Sequence, residues 1–158
     1  MEEATLCFIV DGERVLLIEK LRGLGSGLYN GPGGKLEGDE TPREAIVREV
    51  REEVGVDVVE PTKVGELTFI HDGRPALFVH VFRAESYRGR PTPTLEAVPA
   101  WFDRTDLPFD EMWDDDHLWL PLVLDGERFA GEFVFAGGAT LDEAEFVEYD
   151  LRRDPEFA

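Results

Sequence analysis

Between Leu21 and Gly55 the chain passes from a segment that cannot hold regular structure to one that can hold little else. LRGLGSGLYNGPGGKLEGDE, residues 21–40, carries seven glycines and one proline in twenty residues, which rules out regular structure and predicts a shaped loop. TPREAIVREVREEVG, residues 41–55, then has the start and stop signals of a helix. Thr41 can cap, Pro42 suits the first helical position, Glu44 completes a T-x-x-E capping box, and Gly55 can end the helix in a left-handed conformation. Ile46, Val50 and Val54 recur every four residues and predict one buried face, while i, i+3 and i+4 spacing puts Glu49, Glu52 and Glu53 together on another. A fold of this chain must hang a helix with a carboxylate face directly on a glycine loop.

The surrounding segments predict strands for the most part. TLCFIVDGERVLLIE, residues 5–19, holds two apolar runs around Asp11-Gly12, a dipeptide suited to a tight hairpin turn. VGELTFI, RPALFVHVFRA, the short piece at AWF, RFAGEFVFAG and AEFVEYDL are further strand candidates. RPTPTLEAVP, residues 90–99, reads as a long loop. DDDHLWLPLVL predicts a second helix, with Asp114, Asp115 and Asp116 where a helix N-terminus favours negative charge. Strands outnumber helices in mixed order, so the expected fold is an α/β sandwich around a mixed or largely antiparallel sheet, a single domain over residues 1–158.

Like charges at helical spacing repel by a few tenths of a kcal/mol in water and by several kcal/mol where water is excluded, so three clustered glutamates call for a cation. Hard oxygen ligands select Mg2+ or Mn2+ over zinc. Magnesium retains waters and shares itself with substrate phosphates, which beside a glycine loop points to phosphate chemistry.

Composition narrows the partners. The 35 acidic and 16 basic residues give a net charge of −19, a field that repels nucleic-acid backbones and anionic membranes. The lysines are only Lys20, Lys35 and Lys63, an acidic, lysine-poor surface of the kind expected of a protein working in molar salt. Cys7 is the single cysteine, which excludes an intrachain disulfide, and no apolar run approaches the roughly 18 residues of a membrane span. A cytoplasmic protein, monomeric, with no membrane or nucleic-acid polymer as partner, is the expectation. His71, His80 and His117 carry no ligand spacing.

From Gly34 to Val56 the chain reads G-x5-E-x7-R-E-U-x-E-E-x-G-U, where U is a bulky aliphatic residue. This resembles the signature of the Nudix hydrolases at every fixed position: Gly34, Glu40, Arg48, Glu49, Val50, Glu52, Glu53, Gly55 and Val56. The resemblance implies a Nudix-type α/β/α sandwich with a loop-helix-loop catalytic motif that cleaves nucleoside diphosphate derivatives with divalent ions. By position it makes Glu49, Glu52 and Glu53 metal ligands, with Glu52 or Glu53 as general base. It also makes Arg48 a loop-orienting residue acting through a carboxylate such as Glu40; an i−4 pairing of Arg48 with Glu44 is the alternative. Lys20, Lys35 and the amides of Gly33 and Gly34 are candidate phosphate contacts.

RGLGSGLYNGPGGK, VGELTF, VHVF, AWF, LPFDEMWDDD and FAGEFVF extend the similarity to the MutT-homologue branch that hydrolyses oxidised purine nucleoside triphosphates to monophosphate and pyrophosphate. That branch implies a base pocket of Asn30, Trp113, Asp115 and Asp116, lined by Thr5 and Phe69, and a further metal-side carboxylate at Glu96. Trp113 offers a stacking face, and two adjacent aspartates cannot both ionise easily when buried, so one can donate while the other accepts. Leu24, Tyr29, Pro32 and Asp114 depart from the branch pattern. A Nudix hydrolase of another nucleoside diphosphate derivative, or a nucleotide-binding sensor without chemistry, are the competing readings.

Overall fold

The computed structural model describes residues 1–157. Its strands are β1 (Glu2–Asp11), β2 (Arg14–Lys20), β3 (Tyr29–Asn30), β4 (Asp57–Val59), β5 (Thr62–His71), β6 (Arg74–Ala84), β7 (Ser86–Arg88), β8 (Ala97–Asp103), β9 (Phe129–Ala136) and β10 (Glu145–Arg153). Helix α1 spans Pro42–Val54 and α2 spans Asp116–Leu124; single 3-10 turns occur at Phe109–Glu111 and Leu141–Glu143. The main sheet runs β10-β9-β5-β6-β1-β2-β3, with β8 also on β2. Only the β1–β6 and β5–β9 contacts in it are parallel, so the sheet is mixed and mostly antiparallel, as expected. Strands β4 and β7 form a separate pair.

Central strands are apolar on both faces because a layer covers each. Phe8, Val10, Val15 and Leu17 point into a core shared with Trp119, Leu120 and Val123 of α2. Cys7, Ile9, Leu16 and Ile18 point the other way, against Ile46, Val50 and Val54 of α1. Strand period two and helix period four thus meet on the same buried surface. Burial pushes the Cys7 thiol up to about 12, which leaves it protonated inside this layer.

The hairpin turn falls at Gly12 (φ 62°), as the sequence predicts. Helix α1 starts with the complete Thr41–Glu44 capping box and ends on Gly55 (φ 73°), whose N–H donates to the Arg51 carbonyl. Three boundaries differ from expectation. The two-residue β3 lies inside the predicted loop because Tyr29 and Asn30 find partners in Glu19 and Ile18 of β2. Strand β8 takes the end of the 90–99 loop, since Ala97 pairs with Lys20. Helix α2 begins only at Asp116; Asp115 occupies the N-cap without a side-chain capping bond, its carboxylate being used elsewhere. No helix of the described residues is long and apolar enough to cross a membrane.

One irregularity positions everything functional. Strands β1 and β2 pair only near their turn, from Ile9 with Leu16 to Asp11 with Arg14, and then diverge. The backbone of the glycine loop fills the gap along β1: Cys7 N–H donates to Pro32 O (2.8 Å), Thr5 N–H to Gly34 O (2.8 Å) and Leu36 N–H to Glu3 O (3.1 Å). The approach needs glycine, because a Cβ on Gly33 would lie 1.9 Å from the Thr5 carbonyl oxygen.

Candidate active site

The glycine loop and α1 lock together through carboxylates. Glu53 is 3% exposed, and its Oε1 accepts the Gly33 N–H at 2.7 Å. Burial raises its carboxyl to about 7 against the opposing Gly33 bond, with the nearby charge of Glu49 raising it further, Lys20 lowering it and Glu96 raising it. Glu49 is also raised, by its own burial first, and its carboxylate fills the space where a Gly34 side chain would begin: a Cβ there would come within 2.5 Å of Cδ.

Arg48 holds the start of the motif. Its Nε and Nη2 donate to the two oxygens of Glu40 (2.6 and 2.9 Å), and Nη1 donates to Glu49 (3.0 Å) and Glu52 (3.1 Å). Nη2 also donates to the Lys35 carbonyl at 3.2 Å. Glu40 in turn accepts the Glu37 N–H, and its carboxyl is held low by the Arg48 bond first and that backbone bond second. The alternative partner, Glu44, instead accepts the Thr41 N–H at 3.0 Å in the capping box. Arg48 therefore ties loop to helix as a fork, and the i−4 reading is corrected.

Among the described residues no three Asp, Glu, His or Cys side chains converge on one point. Glu52 turns toward Arg48 and Glu53 toward Gly33, while Glu96, exposed on the approach to β8, acts on Glu49 and Glu53 only through its charge. The donor set nevertheless fits a hard cation: burial opposes the charge on both Glu49 and Glu53, and all four groups are oxygen ligands. Oε2 of Glu49, Oε1 of Glu52 and Oε2 of Glu53 lie outside the bonds just described.

Beside this acidic face a cavity of about 130 Å³ opens between the diverging strands and α2. Thr5, Lys20, Asn30, Gly33, Gly34, Lys35, Glu53, Phe69, Trp113 and Asp116 line it, so one space brings together most of the residues picked out in the sequence. Their roles within it differ. The Thr5 hydroxyl donates to the Gly34 carbonyl (3.0 Å), securing the loop. Asn30 Oδ1 accepts the Gly31 N–H (2.8 Å), which fixes the side chain. Lys35 pairs with Glu2 at 2.8 Å. Phe69 contacts the rings of Phe133 and Phe135, and Trp113 stands edge-on to Phe135.

Asp115 does not line the cavity. It is fully buried, and its Oδ2 accepts the Trp119 Nε1–H at 2.8 Å. Its carboxyl is raised to about 6 by burial, opposed by that Trp119 bond. Asp116, 2% exposed, is raised well above the ordinary range by burial and by the charge of Asp115, and its Oδ2 has no hydrogen-bond partner. A carboxyl group whose charged form is opposed by burial, with an unpartnered oxygen in a cavity wall, is ready to meet a polar ligand edge. Leu77, Trp119 and Leu141 also line the wall; they carry only the pattern of ordinary core residues, so the sequence holds no signal that separates them from the core.

Comparison with known proteins agrees with this geometry. The NUDIX domain family profile matches residues 2–123. An oxidized purine nucleoside triphosphate hydrolase of Danio rerio is 43% identical over 147 residues, 92% of this chain and 94% of the relative. Its namesake in Mus musculus is 39% identical over 154 residues, 97% of this chain and 96% of the relative. Among solved structures, the MutT protein of Bacillus halodurans superposes with a TM-score of 0.80 at 25% identity, covering 99% of each chain. With the family match spanning both the glycine loop and α1, and the fold shared end to end, the chain belongs to the Nudix family of hydrolases.

Proposed function

We propose that the protein hydrolyses oxidised purine nucleoside triphosphates, of the 8-oxo-dGTP and 2-hydroxy-dATP type, to the monophosphate and pyrophosphate, and so removes damaged precursors of DNA synthesis. The observation that carries this reading is Asp116, buried and unpartnered at Oδ2, its carboxyl raised by burial, in the same cavity wall as Glu53 and the Gly33–Gly34 backbone. The names of the two relatives, aligned over more than nine-tenths of the chain, support it.

Nudix hydrolases work with divalent metal cations, and the all-oxygen donor set here favours Mg2+, which Glu49, Glu52, Glu53 and Glu96 would hold. When bound, Mg2+ neutralises phosphate charge and polarises the phosphoanhydride. The chain's residues supply the rest. Gly33 fixes Glu53 through Oε1, which leaves Oε2 as its one free oxygen; where Glu53 takes the proton of the attacking water through it, the ion is left to Glu49, Glu52 and Glu96. Glu52, more exposed, is the second base candidate. Arg48 keeps loop and helix in register through Glu40. Lys20 and Lys35 supply positive charge for the phosphates in a protein of net charge −19, and the Gly33–Gly34 backbone lies alongside.

At the other end Trp113 stacks on the purine while Asp116 donates its proton to a base acceptor and Asn30 presents its amide N–H. Asp115 acts from behind, keeping Asp116 protonated by its charge and holding Trp119. Because the acid and the amide between them offer both donors and acceptors, more than one oxidised purine is accommodated. Pyrophosphate release with Mg2+ from 8-oxo-dGTP, 2-hydroxy-dATP, dGTP, ADP-ribose and diadenosine polyphosphates tests the reading. The oxidised purines are expected to lead, and E53Q to abolish turnover without loss of fold. Hydrolysis of none of the panel by the wild type would remove the proposal.

A further inference from the structure

Residues 21–27 form the rim of the cavity, and Leu24 and Gly25 line it. All of them are exposed except Gly25. Gly23, Gly25 and Gly27 have φ between 79° and 89°, so the rim carries little side-chain packing of its own. The buried residue is the one tied to the far end of the chain: Gly25 N–H donates to Asp142 Oδ2 at 3.1 Å, across 117 residues. The Thr140 hydroxyl donates to the other oxygen, Oδ1, at 2.5 Å and orients the carboxylate. The same 3-10 turn contributes the neighbouring Leu141, buried and part of the cavity wall.

Gly25 lies flat against Trp113. A Cβ on it would approach the indole Nε1 to 2.8 Å and Cζ2 to 3.2 Å, so the loop backbone bounds the edge of the ring proposed to stack on the base. The rim also begins where Lys20 ends β2: Gly27 N–H donates to the Lys20 carbonyl at 2.7 Å, and Lys20 lines the cavity on the side of Glu53. Movement of the rim therefore alters both the width of the base cavity and the backbone that carries a phosphate-side lysine.

We propose that Asp142 is a positioning residue that clasps the rim loop against Trp113 and sets the width of the nucleobase cavity, without touching substrate itself. The proposal rests on the oxidised-purine reading above. The carboxylate is ionised at neutral pH, held low by the Thr140 hydroxyl first and the Gly25 amide second, so the bond to Gly25 is charge-assisted. Loss of the clasp frees the rim and widens the site, weakening the fit to the base while the groups around Glu53 remain in place.

The test pairs kinetics with proteolysis on the full chain. D142A is expected to raise KM for 8-oxo-dGTP roughly tenfold with kcat within about twofold, and to narrow the preference over dGTP. D142N keeps a carbonyl oxygen for Gly25 and is expected to restore most of the KM. Trypsin should cut D142A after Arg22 faster than wild type while other sites keep their rates, read by mass spectrometry of the fragment beginning at Gly23. An unchanged KM in D142A overturns the proposal whatever the cleavage, and so does faster cleavage at all sites together, which is general loosening. Should D142A fail to fold, T140V decides: a smaller KM rise supports the clasp, and wild-type values in both T140V and D142N overturn it. A wild type inactive on the whole nucleotide panel sinks the functional reading instead, while cleavage at Arg22, which needs no substrate, still reports on the clasp.

Discussion

Replacing Gly33 by alanine probes the junction of loop, strand and helix at one atom. Gly33 does not have positive φ, so alanine is conformationally acceptable there and the whole effect comes from contact. The added Cβ would lie 1.9 Å from the Thr5 carbonyl oxygen, against a practical minimum of 3.0 Å, so the loop must retreat from β1 by about 1.1 Å. That stretches the 2.8 Å bonds Thr5 N–H to Gly34 O and Cys7 N–H to Pro32 O to about 3.9 Å, beyond hydrogen-bond range, and pulls the Gly33 N–H off Glu53. Two backbone bonds at about 1 kcal/mol each and one bond to a carboxylate at about 1.5–3 kcal/mol give a loss of about 3.5–5 kcal/mol. The stiffer unfolded chain offsets about 0.5–1 kcal/mol of it. Gly38 supplies the contrast: it has open space around it but φ of 53°, so G38A costs about 1 kcal/mol from backbone strain alone. Urea unfolding followed by tryptophan fluorescence measures both, and pyrophosphate release should be lost in G33A only. A G33A protein within 1 kcal/mol of wild type and fully active would refute the claim that this contact holds the site together.

Two further perturbations test the charge arrangement. Arg48→Lys cannot reproduce the fork on Glu40, so kcat is expected to fall roughly ten- to hundredfold as the loop loses register, with the circular dichroism spectrum unchanged; wild-type kcat would assign Arg48 a merely surface role. The buried aspartate pair makes stability depend on pH with a defined sign. Both folded-state carboxyls titrate above their unfolded values, so the unfolded chain releases these protons first and stability falls as pH rises, through about 4 to 6 for Asp115 and further for Asp116. Asp116→Asn cannot ionise, so its urea midpoint should decline less than wild type between pH 6 and 8, and its ranking of 8-oxo-dGTP against 2-hydroxy-dATP should change. Parallel midpoint curves with an unchanged ranking would contradict the assignment.

What the sequence made legible was local or periodic. The capping box, Pro42 and Gly55 mark α1 at both ends, Ile46, Val50 and Val54 at period four give its buried face, and Asp11-Gly12 gives the hairpin. The fixed spacing from Gly34 to Val56 located the acidic face and its glycine loop together, because loop and helix are contiguous in the chain and lock to each other through Arg48–Glu40 and Gly33–Glu53. Interactions between distant segments were not legible. Nothing in the spacing of Asp115 and Trp119 distinguishes a capping aspartate from one turned inward to an indole, and the two adjacent aspartates have different surroundings. Asp142 reaches Gly25 from the β9–β10 connection, 117 residues away in the chain, although β9 and β10 stand at the opposite end of the strand order from β2 and β3. The divergence of β1 and β2, which creates the cavity, follows from loop backbone pairing with β1, a competition that strand propensity cannot foresee.

The central claim is that the acidic helix and the Asp116 cavity act on one substrate, a triphosphate bearing an oxidised purine. A competition assay tests it most directly: equal 8-oxo-dGTP and dGTP with Mg2+ and catalytic protein, the two monophosphates being separated and quantified over the first tenth of turnover. The account predicts that the oxidised monophosphate forms at least about tenfold faster, the discrimination expected when one well-placed buried hydrogen-bonding group meets its partner. Equal rates, faster loss of dGTP, or no monophosphate at all would contradict it.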